Sequence, residues 1–417
     1  MNPILKTPQD SRSREHYESN SDSASSRSPS FIDEAMDSLR LEEKLSSKAI
    51  LNRFFSAGSV IPTSSSNANR NQQAFGTRSG YTQIGSGTCA DVFEVPGAVH
   101  VFKAAKHPGK ETDTLWNDYR QHTLIQEVFD TYGRSTWTVR VPRCFWFVGQ
   151  DDERWWEENV NRFPKQPDQW TNILCSERIL PIPRPLRHAL IEEYCPKSGF
   201  EAAKELKSNK HCLVRLYLGK RRTRVNTLFF NLRNFNLNLD QMEDLNLDVR
   251  YFAVAIAEAM AVMHWICWLD ANDVEFVLGS SPDGSADANQ IVAKPLTNKD
   301  LEKMAPNTST WDAHLQDFKT RQIHIWMLDF NRCRSFRPDD LGPLVHSFFI
   351  NDPYFPRPYG PDSKDYGLWA LFRDTYVERG IKGLKCTGKD EFAALPARTM
   401  ELIETEQKRR DMAKGAS

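Results

Sequence analysis

The stretch Ile84-Gly85-Ser86-Gly87-Thr88-Cys89-Ala90-Asp91-Val92-Phe93 constrains the fold more than any other part of the chain. Its flanks, Tyr81 to Phe93 and Val99 to Phe102, carry the β-branched and aromatic residues of strands around a tight turn. A glycine turn between two strands disfavours a Rossmann or Walker-type loop, which would join a strand to a helix, and favours a hairpin lid. Glycine lets backbone N–H groups approach phosphates closely. Gly85, Gly87 and Val92 fall on the first, second and valine stations of G-x-G-x-x-G-x-V, with Ala90 in place of the third glycine. An ordinary Gly-Ser-Gly hairpin would read the same way in isolation, so the motif gains its weight from three stations C-terminal to it.

The first is Lys103, in Val101-Phe102-Lys103, a strand lysine able to reach the α- and β-phosphates of a nucleotide, with Lys106 as its rival. Such a lysine needs an acid on the next helix, which the apolar spacing predicts over Trp116 to Phe129. Asp118 and Glu127 are the candidates and spacing does not choose between them; Glu127 is carried into the candidate site. At the second station, Asp270 precedes Glu275 by five positions, the separation of base and metal ligand in H-R-D-x-x-x-x-N. At the third, Asp329 opens Asp329-Phe330-Asn331 after an apolar strand, where a D-F-G aspartate would hold a metal ion. Isolated aspartates are usually surface or capping residues, but Trp268-Leu269 before Asp270 and Met327-Leu328 before Asp329 argue for partly buried positions. Asp273 is an additional acid in the same loop as Asp270. His264 at the end of an apolar helix reads as a packed core histidine before a general base.

Bulk properties narrow the classes. The 417 residues suffice for one large two-lobed domain or two to three smaller units, and the formal net charge of −1 gives no nucleic-acid coat or membrane-surface character. No apolar run reaches the roughly 20 residues of a membrane span. Met1 to Lys6 lacks the apolar core of a secretory signal, and the eight cysteines are scattered without a C-x-x-C pair. An intracellular chain with reduced thiols, cytoplasmic or nuclear, is expected, with no zinc site.

Along the chain, residues 1–78 read as a disordered serine-rich tail with one amphipathic helix, on the spacing of Phe31, Ala35, Leu39, Leu41, Leu45, Ile50, Leu51, Phe54 and Phe55, either docked on the core or a partner or transient within the tail. Residues 79–196 form a β-rich small lobe. In it Val139 to Val148 reads as a strand or two around a proline break, residues 151–169 as an exposed loop, and Ala189-Leu190-Ile191-Glu192-Glu193-Tyr194 as a buried strand. Residues 197–229 form a connection whose basic run Lys220-Arg221-Arg222-Thr223-Arg224 reads as a solvated loop before an anion patch or nuclear address. Residues 230–415 read as a helical large lobe with a polar insertion at about 280–322, on either side of which Val274 to Leu278 and Ile323 to Leu328 read as a short strand pair. Asn351 to Pro358 reads as a proline-stiffened linker.

From Tyr81 to about Val377 this order of motifs resembles the protein-kinase-like superfamily, including its aminoglycoside-phosphotransferase branch. The resemblance implies an α+β, two-lobed protein-kinase-like fold with a β-rich N-lobe and a helical C-lobe. It implies ATP and magnesium as cofactors, Gly85, Gly87, Val92, Lys103 and Glu127 around the nucleotide, and Glu193 in the hinge strand contacted by the base. Asp270 would be the catalytic acid–base, and Glu275 and Asp329 the metal ligands. The chain departs from the pattern at Trp268-Leu269 for His-Arg, Asn272 for lysine, Glu275 for asparagine and Asn331 for glycine. Asp329 lies 54 positions after Glu275, a separation that requires an insertion. A weak phosphotransferase and a nucleotide-binding pseudokinase both fit, with a nucleotide and an acceptor or protein partner as ligands. The rival is a non-catalytic interaction module. The second half, at Leu232 to Met242, Met263-His264-Trp265, Asp270 to Leu278, Leu328-Asp329-Phe330 and Asn351 to Pro358, is also similar to an uncharacterised fungal family often labelled "zinc finger protein".

Overall fold

The computed structural model describes residues 41, 44–62, 80–94, 98, 100–107, 115–132, 138–165, 167, 169–222, 230–282, 302–303 and 320–415. Residues 1–40, with Phe31, Ala35 and Leu39 of the expected helix, and most of the expected insertion lie outside the described residues. Within residues 44–62 the expected amphipathic helix is present in part. Ser47–Phe54 (α1) is a helix whose N-cap Ser46 accepts from the Ala49 N–H, and Val60–Pro62 (β1) is a strand. Ile50, Leu51, Phe54 and Phe55 are buried in the main core, which supplies the stabilisation that the local polar composition could not.

A five-stranded antiparallel sheet comes next: Thr82–Ser86 (β2), Ala90–Glu94 (β3), His100–Ala105 (β4), Cys144–Val148 (β6) and Ile173–Glu177 (β7), in the order β2-β3-β4-β7-β6. Strand alternation divides β4 into two faces. Phe102 and Ala104 join Tyr81, Phe93 and Trp156 in an aromatic core, while Val101 and Lys103 face the opposite side, into a cleft. The helix Leu115–Tyr132 (α2) connects β4 onward and buries Leu115, Asp118, His122, Ile125 and Phe129, one face at helical spacing. Two of those five are polar, which sets this face apart from a plain core stripe. The segment expected as an exposed loop contains the helix Glu153–Asn159 (α3); Asp152 caps it and Trp156 is fully buried, stacked on Phe163 and Trp170.

The second half supplies four strands of a six-stranded sheet, and β1 and Val139–Arg140 come to it from the first half. Glu275–Pro282 (β10) and Thr320–Leu328 (β11) pair over eight positions from Glu275↔Leu328 to Pro282↔Arg321. Val214–Tyr217 (β8) and Phe235–Asn238 (β9) extend the sheet on one side, and β1 pairs with β11 on the other. The dipeptide Val139–Arg140 (β5) also joins β11, so the proline break Val141-Pro142-Arg143 passes the chain from one sheet to the other. The long separation between Glu275 and Asp329 is resolved by this hairpin: the residues between them leave from its far end, and its near end brings the two acids side by side.

Ala189 to Tyr194 is not a strand. Arg184–Tyr194 (α4) is a helix that starts behind Pro183 with Pro185 in its first turn, where proline's fixed φ suits a helix start. Leu186, Ala189 and Leu190 face α1 and the core, and Glu193 is exposed. Phe200–Glu205 (α5) follows. Leu239–Asp244 (α6) opens with a capping box of Asn238 and Gln241. Val249–Trp265 (α7) and Tyr366–Cys386 (α9) pack closely because Gly380 leaves room: a Cβ there would lie 2.7 Å from Trp265 Cδ1. Gly342–Ile350 (α8) and Leu395–Gly415 (α10) complete the helical layer. Asn351 to Pro358 is more than a linker, since Tyr354 and Phe355 are both fully buried. Among the described residues no helix is long and apolar enough to cross a membrane.

Candidate functional site

Between the two sheets lies a cleft of about 300 Å³ roofed by the β2–β3 turn and lined by Gly85, Gly87, Val92, Lys103, Asp273 and Asp329, among others. Lys103 projects into it because the core-facing positions of β4 are taken by Phe102 and Ala104. Its Nζ lies 2.7 Å from Asp118 Oδ2 and 3.2 Å from Asp329 Oδ1. Burial works against the ammonium charge, but Asp118 and then Asp329 more than offset it, so Lys103 is held above its ordinary pKa. The helix partner of Lys103 is therefore Asp118, and Glu127 is a correction: it faces solvent more than two helical turns further along α2. Sequence spacing left both open; the buried face Leu115, Asp118, His122, Ile125 distinguishes them, since Glu127 falls off it.

Asp329 sits at φ 69°, a left-handed conformation uncommon outside glycine, asparagine and aspartate. Two anchors hold this turn. Phe330 is fully buried with its ring 5.0 Å from that of His122 on α2, and Asn117 Nδ2 donates to the carbonyls of Asn331 (2.9 Å) and Cys333 (3.1 Å). The same helix that supplies Asp118 thus also fixes the backbone that presents Asp329.

The acids of the 270–275 loop are divided in their roles. Asp270 is 6 % exposed and does not line the cleft; its Oδ1 accepts from the N–H of Arg334 (2.9 Å) and of Asn272 (3.1 Å), joining two loops. Burial pushes its pKa up against those two bonds. Asp273 faces the cleft instead. Ala271 and Asp273 both take positive φ, and Asn351 clamps the turn by accepting from Asp273 N–H (2.7 Å) and donating to the Ala271 carbonyl (2.9 Å). Burial and then neighbouring Asp329 raise the Asp273 pKa. Glu275, at the start of β10, is ion-paired to Arg215 of β8, whose other nitrogen bonds Asp352 Oδ2 at 2.7 Å. Burial nonetheless pushes Glu275 up to about 7, with Arg215 opposing and Asp329 assisting.

Lys106 does not compete with Lys103. Its Nζ bonds Ser86 Oγ (2.8 Å) and the Gly87 carbonyl (2.7 Å), tying the glycine turn to β4. Glu193 is not in the cleft. The strand that borders it is β7, and Ser176, Glu177, Arg178 and Ile179 line the edge that leads out of the small sheet. The signal was present in Ile173-Leu174-Cys175-Ser176, a buried run ending at charged Glu177-Arg178. His264 is a core residue bonded to Tyr376 Oη at 2.6 Å. Arg221 pairs with Glu243 and Asp365, and Arg222 with Asp240 and Asp244, so neither presents a free cationic patch; Thr223 and Arg224 lie outside the described residues.

All eight cysteines are free, and among the described residues no three His, Cys, Asp or Glu side chains gather as a metal cage. Asp118, Asp273, Glu275 and Asp329 all line the cleft, Asp118 bonded to Lys103 and Glu275 to Arg215; a magnesium ion shared with phosphates needs only one or two protein carboxylates. No curated protein matches the chain. A family model, domain of unknown function 3669, described as "Zinc finger protein", matches residues 325–387, from mid-β11 through Asp329 and α8 into the end of α9. Over this segment the chain is similar to that uncharacterised family.

Proposed function

We propose that the chain is a kinase-like nucleotide-binding protein that takes Mg-ATP in the cleft between its two sheets. The single observation that carries this reading is Lys103, bonded at once to an acid of α2 and to the acid that follows β11, beneath a glycine hairpin. The strand order β2-β3-β4-β7-β6, with α2 inserted after β4, supports it as well, being the arrangement of a kinase small lobe.

In this reading Lys103 neutralises phosphate charge, the Gly85–Gly87 turn covers it, and Asp329 is the principal ligand for magnesium. Magnesium would supply charge neutralisation on the transferring phosphate. Glu275 is not free for that duty because Arg215 holds it. Asp273, rather than Asp270, is the acid that would meet an acceptor hydroxyl, and its raised pKa improves it as a proton acceptor. Asp270 is a positioning residue that shapes the loop.

The occupation of Glu275 by Arg215 favours a second outcome on the same site: nucleotide binding with little or no transfer. Thermal unfolding with Mg-ATP tests the common part. At a hundred times its dissociation constant the ligand adds about 2.7 kcal/mol of stability, and Asp329→Ala removes the metal-dependent portion. No shift at millimolar nucleotide overturns the reading. Turnover of ATP that is lost in Asp273→Asn identifies a transferase; its absence in a chain that still binds identifies a pseudokinase.

A further inference from the structure

The cleft has a second end. Lys103 pairs in register with Leu174 of β7, and Arg178 lies four residues further along the chain, about 13 Å at the rise of a strand. There Arg178, His211 and Arg233 line the cleft. Arg178 pairs with Glu94, yet its Nε is shut from solvent with no hydrogen-bond partner, and so is His211 Nδ1. The Arg233 guanidinium has no ion pair among the described residues. It reaches up from the loop before β9 towards the glycine hairpin, and a Cβ built on Gly85 would lie 3.8 Å from its Nη2.

Positive charge dominates this end. Burial lowers His211 to about 4, and Arg178, Arg187, Arg233 and Lys210 all act in the same direction. Of the two acids nearby, Glu94 is taken by Arg178, and Glu177 accepts the Arg143 N–H at 3.0 Å. Arg178 is matched by Glu94 and His211 is uncharged at neutral pH, so the uncompensated charge among these three is the Arg233 guanidinium, whose planar fork matches phosphate, with the unpartnered Arg178 Nε and His211 Nδ1 beside it. We propose that Arg178, His211 and Arg233 form a phosphate subsite at the end of the cleft remote from Lys103. The phosphate belongs either to the cleft ligand itself, which then carries phosphates at both ends, or to a separate inorganic ion.

The proposal uses the nucleotide cleft but does not need nucleotide at its other end. Calorimetry on the full chain and its Arg233→Glu variant tests it with three probes: inorganic phosphate, AMP, and the adenosine bisphosphate that adds a phosphate to the ribose 3′ oxygen. Binding of the bisphosphate at least about tenfold tighter than AMP, lost in Arg233→Glu, supports the first source. Inorganic phosphate that binds alongside AMP, and weakens at least about tenfold in the variant, supports the second. An Arg233→Lys variant that keeps part of the effect separates charge from shape. Equal binding of all probes to wild type and Arg233→Glu, with both chains folded by circular dichroism, overturns the subsite. If phosphate binds through Arg233 while neither AMP nor Mg-ATP binds, the nucleotide reading fails and the subsite stands; Mg-ATP binding indifferent to Arg233 gives the converse.

Discussion

Two basic residues on opposite walls of the cleft are each held by two carboxylates, and they differ in what they join. Lys103 draws its acids from α2 and from the turn after β11, so its trio spans the small sheet, its helix and the large sheet. Arg215 draws Glu275 and Asp352 from the large-sheet side alone, where Tyr217 Oη also donates to Asp352 at 2.6 Å. Lys103 is thus a bond across the cleft, available to a ligand that enters it. Arg215 is a counter-charge within one wall, and it pairs with Glu275, the residue that spacing suggested as a metal ligand.

The sharpest way to break the comparison is Asp118→Ala. Asp118 is 1 % exposed and its removal leaves Lys103 with half its counter-charge in a buried setting. Loss of one partner of a buried pair costs about 3–5 kcal/mol. Chemical denaturation is the measurement, and a cost under about 1 kcal/mol would show that the trio does not hold the cleft together. Arg215→Leu should cost less, about 2 kcal/mol, since Asp352 is 43 % exposed and water can take over part of its solvation. Magnesium-dependent nucleotide stabilisation should survive Arg215→Leu or rise, because Glu275 is released; its loss there would make Arg215 a ligand contact.

A pH series sharpens the difference further. Glu275 titrates at about 7 when folded against an ordinary value of 4.5. The folded state then binds more protons than the unfolded state across that window. Stability should fall as pH rises from about 4.5 to 7, by at most about 1.4 kcal/mol per unit, and Glu275→Gln should remove that component. An unchanged slope in Glu275→Gln would assign the titration elsewhere. The smallest effect is expected at Glu127→Ala and Glu193→Ala. Both side chains are exposed, and each substitution should stay within about 0.5 kcal/mol of wild type and leave nucleotide binding unchanged.

The same contrast explains how much the residues alone made legible. The hairpin turn, the helix after β4, the apolar helix α7 and the acidic stations at 270–275 and 329 follow from local patterning: glycine spacing, period-two alternation and period-3.6 apolar faces. Ala189 to Tyr194 misled because the short apolar run Ala189-Leu190-Ile191 satisfies strand and buried helix equally, and Pro183 and Pro185 were the deciding punctuation. The helix α1 is legible in the spacing of Ile50, Leu51, Phe54 and Phe55, whereas their docking on the main core is a tertiary outcome.

By itself the sequence determined which residues bear charge and which strand face each one occupies, since alternation along β4 sends Lys103 away from Phe102 and Ala104. Only the tertiary structure decided who meets whom: Asp118 instead of Glu127, Asp273 at the cleft instead of Asp270, and Arg215 against Glu275. Backbone periodicity is a property of neighbours in the chain, whereas an ion pair across some 226 positions, such as Lys103 with Asp329, depends on how two sheets and a helix pack.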